Sequence, residues 1–380
     1  MKYTENMQNE IMIALEKDLD GDNMGDAGLE FLNSKDGLRS FGDGLLAVIS
    51  SKYSDVNADN VIAKIKDSAK SNGIPLKEIA VENTLTNWFK NDKRPKKGEA
   101  SRRSMFALAF AMNFSVAETK YLFENVYLDR AFDYRKENEL IYYFCLKAGK
   151  TWVEAEDLIE KAKDLTKQHE DKTILTLEMQ DELKAINDET ALLSYIATHG
   201  HNFSKNNITA KKVFDELLNH AKTATVIEVK KMHKELTKGK WNLIDEISNN
   251  FLFEIITEQK ASSGAGTKTI FKNAYLPQEI TNRFPEAGTF SKTDMTYEEI
   301  RKVIILLHFY NYCIDNWNET DYDEFVEGMN TILNDCCLAE LYPGNPFDWL
   351  FLYSMTYKDY PLDVFRGVIA EALDSGLGEE

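Results

Sequence analysis

The sequence predicts an all-α protein of many helices, and three observations support this fold class. Apolar residues recur at spacings of three and four along most of the chain, which is the period of a helix buried on one face. Two helix starts carry a capping box, since Thr151 and Thr296 are each followed three residues later by a glutamate. Alternating apolar and polar residues, the pattern of a half-buried strand, are nearly absent.

Breaks in the helical pattern divide the 380 residues into five segments. A chain of this length can form two or three hydrophobic cores. The predicted segments are an N-terminal helical lead at 1–57, a domain at 58–130 that carries the main motif, a helical domain at 131–257, a linker and ordered loop at 258–295, and a C-terminal helical domain at 296–380. Small residues dominate 261–269, which is typical of a flexible connection.

Each segment has its own helix signals. Residues 7–19 of the lead place apolar side chains at helical spacing. In the second segment Val61 and Ile65 share one helical face, and Asn72-Gly73 is a stop signal. The helices predicted between 131 and 257 follow one another without a fixed sequence period, so no named repeat family is predicted.

Composition restricts where the protein works and what it binds. The formal net charge is −18, which repels nucleic acid unless a local patch reverses the sign. The four cysteines show no C-x-x-C spacing, so a cysteine zinc site is not expected. The first residues lack the apolar core of a signal peptide, and no apolar run is long enough to cross a bilayer. We therefore expect a cytoplasmic protein without membrane contact.

One stretch reverses the charge: NTLTNWFKNDKRPKKGEASRR, at residues 83–103. Between Val61 and Arg103 eleven Lys and Arg residues stand against five Asp and Glu residues, a local net charge of +6, so that the rest of the chain carries −24. In a helix-turn-helix the second helix enters the major groove of DNA, with short polar side chains at its start and cations nearby for phosphates. This stretch has both features.

The spacing and chemistry of these residues predict a role for each group. Leu85 and Trp88 are three apart and are expected to face the core, with Trp88 as the anchor of the helix. Four short polar side chains are expected to approach bases: Asn83, Thr84, Thr86 and Asn87. Seven cations are expected to hold phosphates: Lys90, Lys93, Arg94, Lys96, Lys97, Arg102 and Arg103.

The same residues resemble a known family. AVENTLTNWFKNDKRP followed by RRSMFALAFAMNFSVAETKYLF resembles the Cro-repressor-type (XRE) helix-turn-helix, in which a tryptophan ends the recognition helix and a short basic turn with proline follows. Ser115 and Glu118 match the start of the second helix after the turn. The helix before it is matched by five residues: Ala107, Leu108, Ala109, Ala111 and Met112. The resemblance covers residues 58–127. The flanking sequences resemble helical proteins of bacterial mobile elements.

The resemblance implies a function. It implies a DNA-binding transcriptional regulator of a bacterial mobile element that takes double-stranded DNA, as a homodimer reading two half-sites about one helical turn apart. One departure stands out, because the segment from Ala80 to Trp88 is shorter than in the family. Either the second helix is truncated, with Pro75 at its start, or the domain is a degenerate relative that contacts proteins.

A second hypothesis belongs to another class. The chain is then a non-enzymatic adaptor or inhibitor whose acidic helical body binds a basic protein partner. The placement of charge separates the two hypotheses. One exposed surface that combines the cations with the polar residues of 83–90 favours DNA, and a buried polar face beside a continuous acidic surface favours the protein partner.

Three other motifs lack the residues of a functional site. The acidic run at 18–30 has Asp18, Asp20 and Asp22 at calcium-ligand spacing, but Asn23 and Leu29 stand where an EF-hand needs glycine and glutamate. The run SSGAGTKT at 262–269 lacks the adjacent Gly-Lys of a phosphate loop.

The third motif is the histidine pair His199 and His201, which has no neighbouring metal-ligand cluster in sequence. No arrangement of a nucleophile with a base is recognisable anywhere in the chain. We therefore expect no enzymatic activity, no cofactor and no bound metal.

Overall fold

The computed structural model describes residues 40–91, 93–165, 174–203, 207–237, 247–258, 285, 287–317 and 319–377. Every regular element in these ranges is a helix, which confirms the predicted all-α fold. None of these helices is both long enough and apolar enough to span a bilayer. The lead at 1–39, including the acidic run at 18–30, and the run at 262–269 lie outside the described residues.

The described residues form two compact units, each with its own hydrophobic core. The first unit spans Arg39–Ile208, and the second contains Thr209–Glu380. This division differs from the predicted boundaries at 130 and 257. The helices between 137 and 199 bury their apolar faces in the same core as the helices before them, and the described residues between 210 and 257 bury theirs with the C-terminal helices.

The described part of the first unit consists of ten α-helices. They are α1 Phe41–Lys52, α2 Val61–Ser71, α3 Leu76–Ile79, α4 Glu82–Lys90, α5 Glu99–Ala111, α6 Val116–Tyr121, α7 Glu137–Lys147, α8 Trp152–Lys163, α9 Thr176–Ala185 and α10 Glu189–His199. A π-helical turn, Leu122–Tyr127, follows α6, and a 3₁₀ turn, Gly200–Asn202, follows α10. The expected capping box of Thr151 and Glu154 is present at the start of α8.

Aromatic rings fill the centre of the first unit. Phe106 on α5 contacts the rings of Phe123 and Tyr142, with centroids 4.5 Å and 4.9 Å apart. Tyr142 in turn stacks on Trp152 at 5.2 Å, so one chain of rings connects α5, the π-helical turn, α7 and α8. Buried rings of this size contribute a large share of the apolar area that stabilises a core. The position of α5 is therefore fixed from several sides.

The described part of the second unit contains six α-helices. They are α11 Ile208–Thr237, α12 Asn249–Thr257, α13 Tyr297–Asp315, α14 Tyr322–Asp335, α15 Pro346–Met355 and α16 Pro361–Leu377. The expected capping box of Thr296 and Glu299 begins α13. Every residue of α15 is buried, so this helix lies in the middle of its unit.

Each unit contains a buried arginine, and the two arginines form similar hydrogen bonds with a carboxylate and with backbone carbonyl groups. In the first unit Arg102, in the first turns of α5, donates to both carboxylate oxygens of Glu139, the third residue of α7, at 2.8 Å and 2.5 Å. In the second unit Arg301, in the first turns of α13, donates to both carboxylate oxygens of Asp348, the third residue of α15, at 2.8 Å and 2.7 Å. We call these contacts the Arg102 cluster and the Arg301 cluster.

The two clusters also agree in sequence spacing. A non-glycine residue with positive φ, Leu128 or Cys337, comes eleven residues before the carboxylate. The carbonyl groups two and three residues after the positive-φ residue accept hydrogen bonds from the arginine. They belong to residues 130 and 131 in the first unit and to residues 339 and 340 in the second. The backbone amide five residues after the positive-φ residue, that of Asp133 or Tyr342, donates to the carboxylate of Glu139 or Asp348. The two units therefore share one local arrangement, which the absence of a fixed sequence period had concealed.

The stability of the second unit is expected to depend on pH through His308. The ring of His308 on α13 stacks on Phe325 of α14, its Nε2 has no hydrogen-bond partner in the described part of the chain, and burial lowers its pKa to about 4. The neutral form of His308 is therefore favoured in the fold, and unfolding takes up a proton at pH values between about 4 and 6.5. Stability is unaffected above about pH 6.5 and falls as the pH drops towards 4, with a loss of about 2 kcal/mol at pH 5.

His308→Phe keeps the ring contact and removes the titrating group. We expect urea unfolding at pH 7 and pH 5 to show a smaller loss of unfolding free energy at pH 5 in this variant than in the wild type. Equal losses in the two proteins would show that other groups carry the pH dependence.

Candidate nucleic-acid interface

Helix α4 carries the predicted reading residues, and its apolar side is held in the core of the first unit. Leu85 is completely buried and Trp88 is 3% exposed. The edge of the Phe41 ring of α1 meets the Trp88 ring at 5.3 Å. The helix before α4 is short, since α3 has only four residues and follows directly on Pro75.

Helix α1 approaches the backbone of α4 at Gly42. A Cβ atom at this position would lie 2.4 Å from the carbonyl oxygen of Trp88 and 3.0 Å from Cα of Phe89. Only glycine allows this approach without a shift of one helix, because a backbone carbonyl cannot rotate away as a side chain can. The C-terminal half of α4 is thus fixed against α1 as well as by its own apolar side chains.

The opposite side of α4 forms what we call the polar arc: Asn83, Thr84, Thr86, Asn87 and Lys90. At 100° per residue these five positions occupy one continuous side of the helix. Asn83 and Lys90 are exposed, and the other three are half-buried. Thr86 donates its hydroxyl to the carbonyl of Glu82, and Asn87 accepts a hydrogen bond from the side-chain amide of Asn91.

The basic loop, residues 93–98, is tied to the helices around it. The amide of Lys93 donates to the carbonyl of Asn87 at 3.0 Å, and Arg94 donates to the carbonyl of Val126 at 2.9 Å. The hydroxyl of Tyr127 donates to the carbonyl of Lys96 at 3.2 Å, and burial raises the pKa of Tyr127 to about 12, so it stays a donor at neutral pH. The loop therefore has a defined position relative to α4.

Helices α3, α4 and α5 and the basic loop enclose a cleft of about 420 Å³, which we call the basic cleft. Its lining residues are four cations, Lys77, Lys93, Arg94 and Lys96, four neutral polar residues, Thr84, Asn87, Ser101 and Ser104, and an apolar group, Ile79, Ala80, Trp88, Pro95 and Met105. Among the lining residues that the structure describes there is no carboxylate. Lys77, Lys93 and Lys96 are exposed and form no ion pair within the described ranges.

The predicted residues are distributed unevenly around this cleft. Thr84 and Asn87 of the polar arc line it together with Lys93, Arg94 and Lys96. Asn83 and Lys90 are exposed on the same helix, and Thr86 is half-buried there. Lys97 is half-buried in the basic loop and is not among the lining residues. The structure adds Lys77, Ser101 and Ser104 to the site. Of these only Lys77 had a sequence signal, as one of the eleven cations between Val61 and Arg103.

Arg102 was predicted to hold phosphate, and the structure corrects this assignment. Its side chain is 6% exposed, and all five of its N–H groups donate to Glu139, Asp129 and the carbonyl groups of 130 and 131. Burial alone would lower the pKa of the Arg102 guanidinium, but the ion pairs with Glu139 and Asp129 outweigh burial and raise it. Arg102 is therefore a charged core residue without a donor left for DNA.

Arg103 is more exposed than Arg102 but is also engaged within the protein. It forms a bidentate pair with Glu156 of α8, with distances of 3.0 Å and 2.7 Å, and its Nε lies 3.2 Å from Glu78 of α3. The hydrogen bonds with Glu156 raise the pKa of its guanidinium, and the group lies 4.9 Å from the Trp152 ring. Its charge is balanced by two carboxylates, so it adds little to a phosphate surface.

The remaining candidates do not form a site. The ring of His199 lies 4.6 Å from that of Tyr195 at the end of α10. Within the described ranges no group of three or more His, Cys, Asp or Glu side chains is arranged to hold a metal ion.

Comparison of the chain with models of known families, with curated proteins and with solved structures found no match. The resemblance to the XRE helix-turn-helix therefore stays a prediction from the sequence.

Proposed function

We propose that this protein binds double-stranded DNA with the polar arc of α4 and the basic cleft. One observation carries the proposal: a row of short polar side chains, exposed at Asn83 and half-buried further along α4, continues into a cleft whose described lining contains cations and no carboxylate. Cationic and other polar side chains donate to phosphate oxygens, and polar side chains on a helix can form hydrogen bonds with base edges in the major groove.

The electrostatics of the whole chain favour this assignment of the cleft. A chain of formal net charge −18 repels DNA except where cations concentrate. Lysines without ion pairs can release the counterions of the DNA phosphates when they bind, which is the main source of affinity for duplex DNA. Lys77, Lys93 and Lys96 meet this condition, whereas Arg102 and Arg103 do not.

The sequence resemblance suggests which biological role DNA binding serves in this protein. We propose a transcriptional regulator of the helix-turn-helix type from a bacterial mobile element, in which α4 reads the major groove. Nine residues give α4 a length of about 13 Å, which is enough to present two turns of side chains to a groove. Gly42 and Trp88 support this role because they hold the helix in place from its inner side.

Titration of labelled random-sequence duplex DNA across a salt series tests the proposal. We expect binding that weakens steeply with salt, with a slope of about −3 in log K against log salt if the three lysines each neutralise one phosphate. Absence of binding by the full chain at low salt would overturn the proposal.

Asn83→Glu tests the polar arc in the same titration. The added carboxylate at the exposed start of α4 would be repelled by the negatively charged DNA, so we expect about tenfold weaker binding at 0.1 M salt. Asn219→Glu is the matched control, because it adds the same charge to an exposed position on α11 of the second unit. Equal weakening in both variants would indicate an effect of total charge and not of this helix.

A further inference from the structure

The second unit exposes two aromatic side chains on neighbouring loops. Trp317, after α13, is 74% exposed, and Tyr360, before α16, is 60% exposed. These are the two largest exposures of any large hydrophobic residue in the described part of the chain. An exposed tryptophan forgoes one of the largest gains from burial that a side chain offers, so it often marks a binding surface.

A buried threonine holds the two loops together. Thr320 donates its hydroxyl to the carbonyl of Lys358 at 2.6 Å, and its amide lies 3.4 Å from the same oxygen. Thr320 follows Trp317 by three residues, and Lys358 precedes Tyr360 by two. The two exposed rings are therefore carried by parts of the chain that are fixed to each other and not by independent loops.

Carboxylates outnumber lysine and arginine in the sequence around these two rings. The chain contains no lysine or arginine between Lys302 and Lys358. Glu319, Asp323, Glu327 and Asp359 are exposed, and none of them forms an ion pair with a described residue. Asp323 and Glu327 are four apart on α14 and so lie on the same side of that helix. We call Trp317, Tyr360 and these four carboxylates the acidic aromatic surface.

We infer that the acidic aromatic surface binds a lysine- and arginine-rich segment of a partner protein. A basic side chain can place its methylene groups and its charge on the Trp317 ring while its neighbours pair with Glu319 and Asp323. The sign of the charge disfavours the main alternatives, because DNA, RNA and the anionic face of a membrane are all repelled by these carboxylates. The inference does not depend on the DNA proposal, which concerns the first unit.

Fluorescence anisotropy of a labelled Lys- and Arg-rich peptide tests the inference on the full chain. We expect the wild type to bind it, and Trp317→Ala to bind about tenfold more weakly because the cation–π contact is lost. The double variant Asp323→Lys with Glu327→Lys is expected to bind at least as weakly. Because these residues are exposed, circular dichroism should show both variants folded like the wild type.

The matched control is Asp157→Lys with Glu160→Lys, which makes the same change of charge on exposed residues of α8 in the first unit. Peptide binding that the control weakens as much as the α14 variant, or that Trp317→Ala leaves unchanged, would overturn the inference in favour of general attraction to an acidic chain. Self-association that Trp317→Ala abolishes would also overturn it, because a second copy would then occupy the surface. Titration of Trp317→Ala with duplex DNA should match the wild type and keeps this result separate from the DNA proposal.

Discussion

Glu139→Ala is expected to lower the unfolding free energy of the first unit by about 3–5 kcal/mol, because it leaves the guanidinium of Arg102 buried without its bidentate partner. Asp129 still pairs with Nη1 at 2.9 Å, but the hydrogen bonds from Nε and Nη2 to the carboxylate are lost. The amide of Asp133 also loses its acceptor. Urea unfolding monitored by circular dichroism measures the change.

The matched control is Glu160→Ala, which removes an exposed partner of Lys163 and is expected to cost about 0–1 kcal/mol. Asp348→Ala should resemble Glu139→Ala in size, since it leaves Arg301 buried in the corresponding way in the second unit. A loss of less than about 1 kcal/mol for Glu139→Ala would contradict the view that the Arg102 cluster holds α5 to α7.

The second large effect is expected in DNA binding. Replacing Lys77, Lys93 and Lys96 with alanine should weaken binding of duplex DNA roughly 100- to 1,000-fold at 0.1 M salt and reduce the salt slope by about 3, because three phosphate contacts and their released counterions are lost. The stability of the fold should change little, since these three side chains are exposed and form no ion pair in the described structure.

A control variant replaces three other exposed lysines of the first unit with alanine: Lys161, Lys163 and Lys184. It has the same net charge as the cleft variant, and its lysines pair with neighbouring carboxylates on α8 and α9. We expect it to bind DNA much more like the wild type. Similar losses of DNA affinity in the two variants would mean that DNA binds elsewhere on the protein or that affinity depends only on the total charge.

Helices were predictable from the sequence where a local signal specifies them. The capping boxes at Thr151 and Thr296 and the burial of Leu85 and Trp88 follow from spacings within one or two turns. The division into units was less predictable, because it depends on contacts such as the Tyr142–Trp152 stack that no local pattern encodes.

The candidate site was also only partly predictable from the sequence, because local patterns do not show which way a side chain turns. Arg102 and Arg103 follow the basic loop in sequence, but each residue of a helix is turned by 100° from the last, so neighbours face different sides. Ser101, Ser104 and Met105 share the side of α5 that lines the basic cleft, whereas Arg102 turns to Glu139 and Arg103 to Glu156. Charge counting could identify the patch, but only the helix rotation assigns each cation to the surface or the core.

The agreement between the Arg102 and Arg301 clusters bears on how this chain can change over evolutionary time. Buried contacts hold this local arrangement in each unit, so exposed positions of either unit can change their charge without disturbing it. The first unit carries exposed lysines that line a cleft, and the second carries exposed carboxylates that follow Trp317 in the sequence. Exposed substitutions in one unit therefore leave the buried cluster of the other unit intact.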